Sequence, residues 1–282
     1  MMIIEILLAS ATIYILLSFA CLYLAHALPR NPVVNPPDWG NITDIKLNTR
    51  DSREIEVWRI EPDNPLQPEK VVVLAHGWGR NRDRMVDRAR MFGKWGYTTV
   101  IHSARDHGGS SPKRFMNAPK FAEDIETVIR WIGKPVILYG HSAGAAGAII
   151  AASRMPENIT HLFMEGSYAD PRKALLNLYT RFNLFFGFVF ARTVIFLMDM
   201  LYEFRLDAIS PVNLAEKITC PVMIIHGEND NRIPSDNAYR LKNGFTHGKT
   251  HFFIARGRGH SDSSDSPDYP AAVRQFLNAY SG

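Results

Sequence analysis

Val136-Ile137-Leu138-Tyr139-Gly140-His141-Ser142-Ala143-Gly144-Ala145-Ala146-Gly147-Ala148 is the stretch that decides the fold. Its apolar opening has the length of a buried strand, and the small residues after Ser142 suit a helix packed closely on a sheet. Between them a glycine-framed serine reads as a nucleophile elbow. Such a turn holds Ser142 in a strained backbone conformation. Side chains at positions 140 and 144 would collide with the adjoining strand and helix, hence Gly140 and Gly144. Gly-x-Ser-x-Gly arises by chance often enough that its setting between strand and helix is what gives it weight.

Outward from this turn, short continuous apolar runs mark further strands buried on both faces: Val71 to Ala75, Thr98 to Ile101, His161 to Met164, Val222 to Ile225 and His251 to Ile254. Helical patterns separate most of them, at Arg82 to Trp95, Pro119 to Ile132, Ala143 to Met155, Ser235 to Asn243 and Pro267 to Tyr280, with lengths that suit parallel crossovers. Ile45-Lys46-Leu47 and Ile55 to Ile60 alternate apolar with polar, as a leading antiparallel pair does. The reading is a doubly wound, mostly parallel α/β sheet. Roughly fifty residues between Glu165 and Val222 break the alternation, too many for a simple loop, so an insertion with its own structure is expected there. Its middle, Phe182 to Leu201, is dense in Phe, Leu, Val and Met, but Arg192 and Asp199 make it a poor second membrane span.

A serine hydroxyl needs a base, and the base needs a third group to fix its tautomer. Of the ten histidines, His260 is favoured: it lies in Gly257-Arg258-Gly259-His260, just past the last strand, on the sheet rim where sites of open α/β sheets collect. Asp230, in the loop after Val222 to Ile225, is the matching acid, with Glu228 its nearest rival. For an oxyanion, the backbone N–H of Ala143 and that of Trp78, in His76-Gly77-Trp78-Gly79, are the candidate donors. Packing alone would also account for His76 and Trp78. His247 and His251 straddle a strand edge, and no His-Glu-x-x-His occurs, so neither a metal nor another cofactor is expected.

Composition bounds the rest. Thirty-two Lys+Arg against 28 Asp+Glu leave a net charge of +4, too small and too interspersed for a nucleic-acid platform. Arg80 to Arg90 could meet anionic groups, but with Asp83 and Asp87 interleaved it reads first as a solvated helix face. Two cysteines, Cys21 and Cys220, cannot form a disulfide framework. Ile6 to Leu28 carries no charged side chain and can cross a hydrocarbon core of ~30 Å as a helix. Ala25-His26-Ala27 resembles a signal cleavage site, yet no Lys or Arg precedes the run and the run exceeds a signal's usual apolar length, which favours an uncleaved anchor. Arg30, Lys46, Arg50 and Arg53 follow it, placing the body on the cytoplasmic side of a single-pass protein. The sequons Asn41-Ile42-Thr43 and Asn158-Ile159-Thr160 matter only for a lumenal body. The expected organisation is an anchor over 1–28, a Pro- and Asn-rich stalk over 29–44 and a catalytic body over 45–282.

With His76-Gly77-Trp78-Gly79, Gly140-His141-Ser142-Ala143-Gly144, the loop from His226-Gly227 to Asp230, Gly259-His260 and Arg105-Asp106-His107-Gly108-Gly109-Ser110, the chain resembles an α/β-hydrolase-fold serine hydrolase over about residues 45–280. Within that fold it is similar to the membrane-anchored, BEM46-like group. The resemblance implies nucleophile Ser142, acid Asp230 and base His260, and a helical cap at about residues 170–211. Family members often have Arg-Gly-x-Gly-x-Ser where this chain has Arg105 to Ser110, so that loop carries no substrate inference. The expected activity is cleavage of carboxylic ester or thioester bonds of a small-molecule or lipid-like, apolar-chained substrate through an acyl-enzyme, with membrane lipid as a partner of the N-terminal helix. A serine peptidase or amidase, and a non-catalytic membrane scaffold, are the alternatives; Ser142 at the elbow counts against epoxide hydrolases and dehalogenases, which usually carry Asp there.

Overall fold

Residues 1–27, 30–203, 205–246 and 249–280 are described by a computed structural model. Of the sequence features weighed above, Leu28, Pro29 and His247 lie outside the described residues.

Eight strands form one sheet: β1 (Asn41–Asn48), β2 (Glu54–Glu61), β3 (Gln67–Ala75), β4 (Tyr97–His102), β5 (Val136–His141), β6 (Ile159–Glu165), β7 (Val222–Gly227) and β8 (Thr250–Ala255). Their spatial order is β1-β2-β4-β3-β5-β6-β7-β8. The β1–β2 and β2–β4 pairs are antiparallel and every later pair is parallel. This is the doubly wound sheet the apolar runs imply, with the antiparallel leader at one edge. Alternation along each strand feeds two cores. Val71, Val73 and Ala75 face one layer, while Val72 and Leu74 face the other.

The helices are α1 (Met2–Ala25), α2 (Val86–Lys94), α3 (Ala118–Ile132), α4 (Ala143–Arg154), α5 (Pro171–Phe182), α6 (Leu184–Val189), α7 (Ala191–Leu201), α8 (Pro211–Leu214), α9 (Asp236–Gly244) and α10 (Tyr269–Ala279). Residues of α3, α4 and α9 fill the first core layer, those of α2 and α10 the second. Asn117 caps α3 by accepting from the Lys120 amide, and Gly133 ends it in the left-handed region at φ 72°. The insertion after β6 folds as α5, α6 and α7, each of the first two started by an N-cap side chain, Asp170 and Asn183.

Helix α1 is 24 residues long with a mean hydropathy of 2.2 over its best window, long and apolar enough to cross a membrane. Its C-terminal half is not isolated from the body. The Tyr14 hydroxyl lies 2.8 Å from the Val189 carbonyl and 2.6 Å from Thr193 Oγ1, and the Tyr14 ring stacks on Phe190. Ser18 is buried, and Leu22 packs with Val194, Leu197 and Met198 of α7.

Two local readings differ from expectation. The segment expected as a free stalk lies against the body: Asn31 donates to the Gly79 carbonyl, Asn81 donates to the carbonyls of Asn31 and Pro32, Arg90 pairs with Asp38, and Asn41 to Asp44 already belong to β1. The basic stretch after the β3 loop is not a solvated face either. Arg82 and Arg88 are buried, Arg82 forked on Asp44 and stacked on Trp58, Arg88 paired with Glu165. Arg82 and Arg88 each have acidic partners elsewhere in the chain, which is what allows them to turn inward.

Candidate active site

The turn between β5 and α4 is built as its glycines require. Ser142 sits at φ 55°, a left-handed conformation that costs a serine energy and is stored here by its surroundings. A Cβ at Gly140 would lie 2.5 Å from Ala145 Cα, and one at Gly144 would lie 2.5 Å from the Ala75 carbonyl. The Ser142 amide donates to the Glu165 carbonyl at 2.8 Å, fastening the elbow to the end of β6.

His260, Asp230 and Ser142 come from three different parts of the chain and meet at the carboxyl rim of the sheet. His260 Nε2 is 2.9 Å from Ser142 Oγ, and His260 Nδ1 is 2.7 Å from Asp230 Oδ2. Asp230 is nearly buried, and its other oxygen accepts from the backbone N–H groups of Arg232 and Ile233 at 2.9 Å each. Burial pushes the Asp230 carboxyl up, but hydrogen bonds from His226 and His260, the His260 charge and the Ile233 amide outweigh it and hold it below the ordinary carboxylate range. A carboxylate kept ionised in this position orients the ring so that Nδ1 carries the proton and Nε2 faces the serine. Glu228, the rival acid, points elsewhere: it is exposed and accepts from the Gly257 amide at 2.8 Å.

The loop after β3 passes directly over the serine, where a Cβ on Gly77 would lie 3.0 Å from Ser142 Cβ. Ala143 is the first residue of α4, so its amide has no intrahelical partner. Trp78 presents the adjacent backbone, while its ring packs against His107, Phe121 and His26. These ring contacts do not use the Trp78 backbone N–H.

Two histidines in the quoted motifs hold this loop, a role the sequence reading did not give them. His76 Nε2 accepts from the Ala104 amide at 2.9 Å and its Nδ1 donates to the Gly77 carbonyl at 2.7 Å. His107 Nε2 accepts from the Gly79 amide at 3.1 Å, its Nδ1 donating to the Arg105 carbonyl. Burial drives both imidazoles below their usual pKa, so both stay neutral and each can accept at Nε2. His107 stands in the loop where the family pattern departs, and the departure itself was the available signal.

Behind the site lies a buried polar network. Arg88 clasps Glu165 through two contacts of 2.5 Å, Tyr139 donates to Glu165 at 2.6 Å, and Tyr269 donates to Tyr139 at 2.9 Å. Burial raises the Glu165 pKa, yet the charges of Arg88 and His141 and the hydrogen bonds from Arg88 and Tyr139 bring it down to about 2. Arg88 and Arg84 donate to the Ser261 carbonyl, and His141 Nε2 donates to the His260 carbonyl at 2.9 Å. The network thus grips the backbone carbonyls of His260 and of Ser261 after it. Among the described residues, no group of three or more His, Cys, Asp and Glu side chains is arranged to hold a metal ion; His251 packs against Phe276 and Tyr280.

The same arrangement of sheet and helices recurs in solved structures. An esterase of Pyrococcus furiosus superposes with a TM-score of 0.71 at 18% identity, covering 90% of this chain and 99% of that one. A proline iminopeptidase of Mycobacterium smegmatis gives 0.65 at 15% identity, over 84% of this chain and 98% of that one. This chain has the α/β-hydrolase fold. The sequence profile of the family described as serine aminopeptidase, S33, matches residues 66–196 of the chain. A monoacylglycerol lipase of Mycolicibacterium smegmatis is 30% identical over 118 residues, 39% of this chain and 41% of that protein. A monoglyceride lipase homolog of Monkeypox virus is 29% identical over 104 residues, 34% of this chain and 38% of that protein. The chain therefore spans only about two-fifths of the length of these curated relatives.

Proposed function

We propose that this α/β-hydrolase is a membrane-anchored serine hydrolase that cleaves the carboxylic ester or thioester bond of a substrate with an apolar acyl chain. The observation that carries the reading is the unbroken chain of contacts from Asp230 through His260 to Ser142 Oγ at a strained elbow. In the mechanism, His260 Nε2 takes the Ser142 proton as Oγ attacks the carbonyl carbon. Asp230 stabilises the resulting imidazolium, and the amides of Ala143 and Trp78 receive the oxyanion. His260 then protonates the leaving alcohol or thiol. Water, deprotonated by the same ring, attacks the acyl-enzyme and releases the acid.

The apolar-chain preference is supported by the Phe- and Leu-rich cap and by the lipase names of the partial relatives. Helix α1 supports the anchor and the resemblance to the BEM46-like group, and the Arg and Lys residues that follow it support a cytoplasmic body over 45–282. A serine aminopeptidase is the second reading, favoured by the description of the matching family.

A fluorophosphonate probe is expected to label the wild type and not Ser142→Ala; equal labelling of both would defeat the assignment. Turnover of fatty-acyl ester reporters above amino-acyl amide reporters separates the two readings, and the reverse preference would install the peptidase.

A further inference from the structure

The tip of the cap is coated with large apolar side chains that the body does not cover. On and beside α6, Phe182 is 86% exposed, Leu184 75%, Phe185 71% and Phe188 80%. Clustered apolar surface of this kind marks a contact with another apolar phase.

Where the tip stands along α1 identifies that phase. Tyr14, fastened to Val189, Phe190 and Thr193, fixes the level of the α6–α7 corner against the N-terminal helix. Glu5 bounds the uncharged run of α1, and the segment from Ile6 to Ile13 rises only ~12 Å, well short of a ~30 Å hydrocarbon core. A spanning α1 must therefore keep several more residues, on the order of 20 in all, inside the bilayer. That places Tyr14 about 16 Å beneath the body-side headgroups. The corner docked on Tyr14 is carried to the same depth.

The corner is built to tolerate it. A lipid-facing backbone needs its polar groups satisfied internally. Asn183 N donates to Tyr179, Gly187 N to Asn183, Phe190 N to Phe186 and Val194 N to Phe190, so hydrogen bonding continues through both helix junctions. The Asn183 side chain also accepts from the Phe186 amide. Arg181 and Arg192, both exposed, flank the apolar tip, and their long stems can carry the charge up to the phosphates.

We propose that the α6 tip of the cap is embedded in the acyl-chain region of the leaflet entered by the C-terminal half of α1, so that cap and anchor form one membrane-inserted wedge. This rests on the reading of α1 as a membrane anchor. The occupant of the exposed face is lipid hydrocarbon, and the cap stands open to substrate arriving from the leaflet.

The test uses the full-length chain, with Cys21→Ser and Cys220→Ser, reconstituted in phosphatidylcholine–phosphatidylglycerol vesicles. A nitroxide is attached at Phe185→Cys, at Ile13→Cys in α1, or at Tyr239→Cys on the body surface, and fluorophosphonate labelling confirms folding of each variant. Collisions with oxygen, which concentrates in hydrocarbon, are compared with collisions with a water-soluble nickel chelate. The expected result is a shift toward oxygen at 13 and 185 and toward nickel at 239. Oxygen preference at 13 with nickel preference at 185 overturns the embedded tip and leaves the anchor standing. Nickel preference at 13 removes the anchor reading, and the proposal with it. Protection of 185 from both reagents shows the face covered by protein, a partner or a second copy, and likewise overturns it.

Discussion

Replacing Arg88 with methionine should be among the most damaging single changes in the body. Methionine keeps most of the side-chain length and apolar volume but removes the charge that lies 2.5 Å from both Glu165 oxygens. Glu165 is wholly buried, and the hydrogen bond from Tyr139 is the main polar support it would retain. Removing one partner of a buried ion pair costs about 3–5 kcal/mol, mostly the penalty of leaving the other charge without compensation. At ~2–4 °C per kcal/mol for a domain of this size, the melting temperature should fall by roughly 6–20 °C. Adding Glu165→Gln to Arg88→Met removes the stranded charge and should recover much of the loss. Thermal unfolding of wild type, both single variants and the double variant forms a complete cycle. A single Arg88→Met loss under about 1 kcal/mol, or losses that simply add in the double variant, would refute the argument that the two side chains act as a charge pair. Because Arg88 also donates to the Ser261 carbonyl, the variant should lower kcat as the His260 loop loosens.

The same pair sets an acid limb. The Glu165 pKa is depressed to about 2 in the fold against ~4.3 in an unfolded chain, so its contribution is fully present above the unfolded value and is lost as pH falls through this interval. Denaturant unfolding should show stability declining from about pH 4.3 toward 2, and the double variant should lack that part of the decline; an identical acid limb in both proteins counts against it. Gly144→Ala would push a methyl group into the backbone carbonyls of His76 and Ala75, neither of which can retreat as a side chain could. Loss of fluorophosphonate labelling together with a lower melting temperature is expected, and normal behaviour would contradict the close approach. His107→Ala removes the acceptor of the Gly79 amide and loosens the loop over Ser142. It should lower kcat by less than the ~10²–10³ that follows deletion of an oxyanion donor, with KM little altered; a change confined to KM would place His107 in substrate binding instead.

What could be read ahead of the structure follows physical lines. Strands covered on both faces leave unbroken apolar runs, so Val71 to Ala75, Val136 to Tyr139 and Val222 to Ile225 stand out, and each appears within a strand. Parallel strands bring their carboxyl ends to one rim, which is why Ser142, Asp230 and His260 could be chosen although 118 positions separate the serine from the histidine. Features that depend on distant partners stayed hidden. Asn31 reads as linker composition because its partner, Gly79, stands 48 positions away. Tyr14 stands within the uncharged N-terminal run, with nothing local to announce Thr193 across 179 positions. Arg88 reads as surface charge until Glu165 is found facing it.

The docking of α1 on α7 has a practical cost for anyone preparing the body without it. Trimming the N-terminus near Ala27 for expression strips Leu22 from Val194, Leu197 and Met198 and leaves Thr193 facing water. The shortened protein would present raw hydrophobic surface beside its own cap, inviting detergent, aggregation or self-association. Activity measured on it would then describe a protein whose cap has lost one wall.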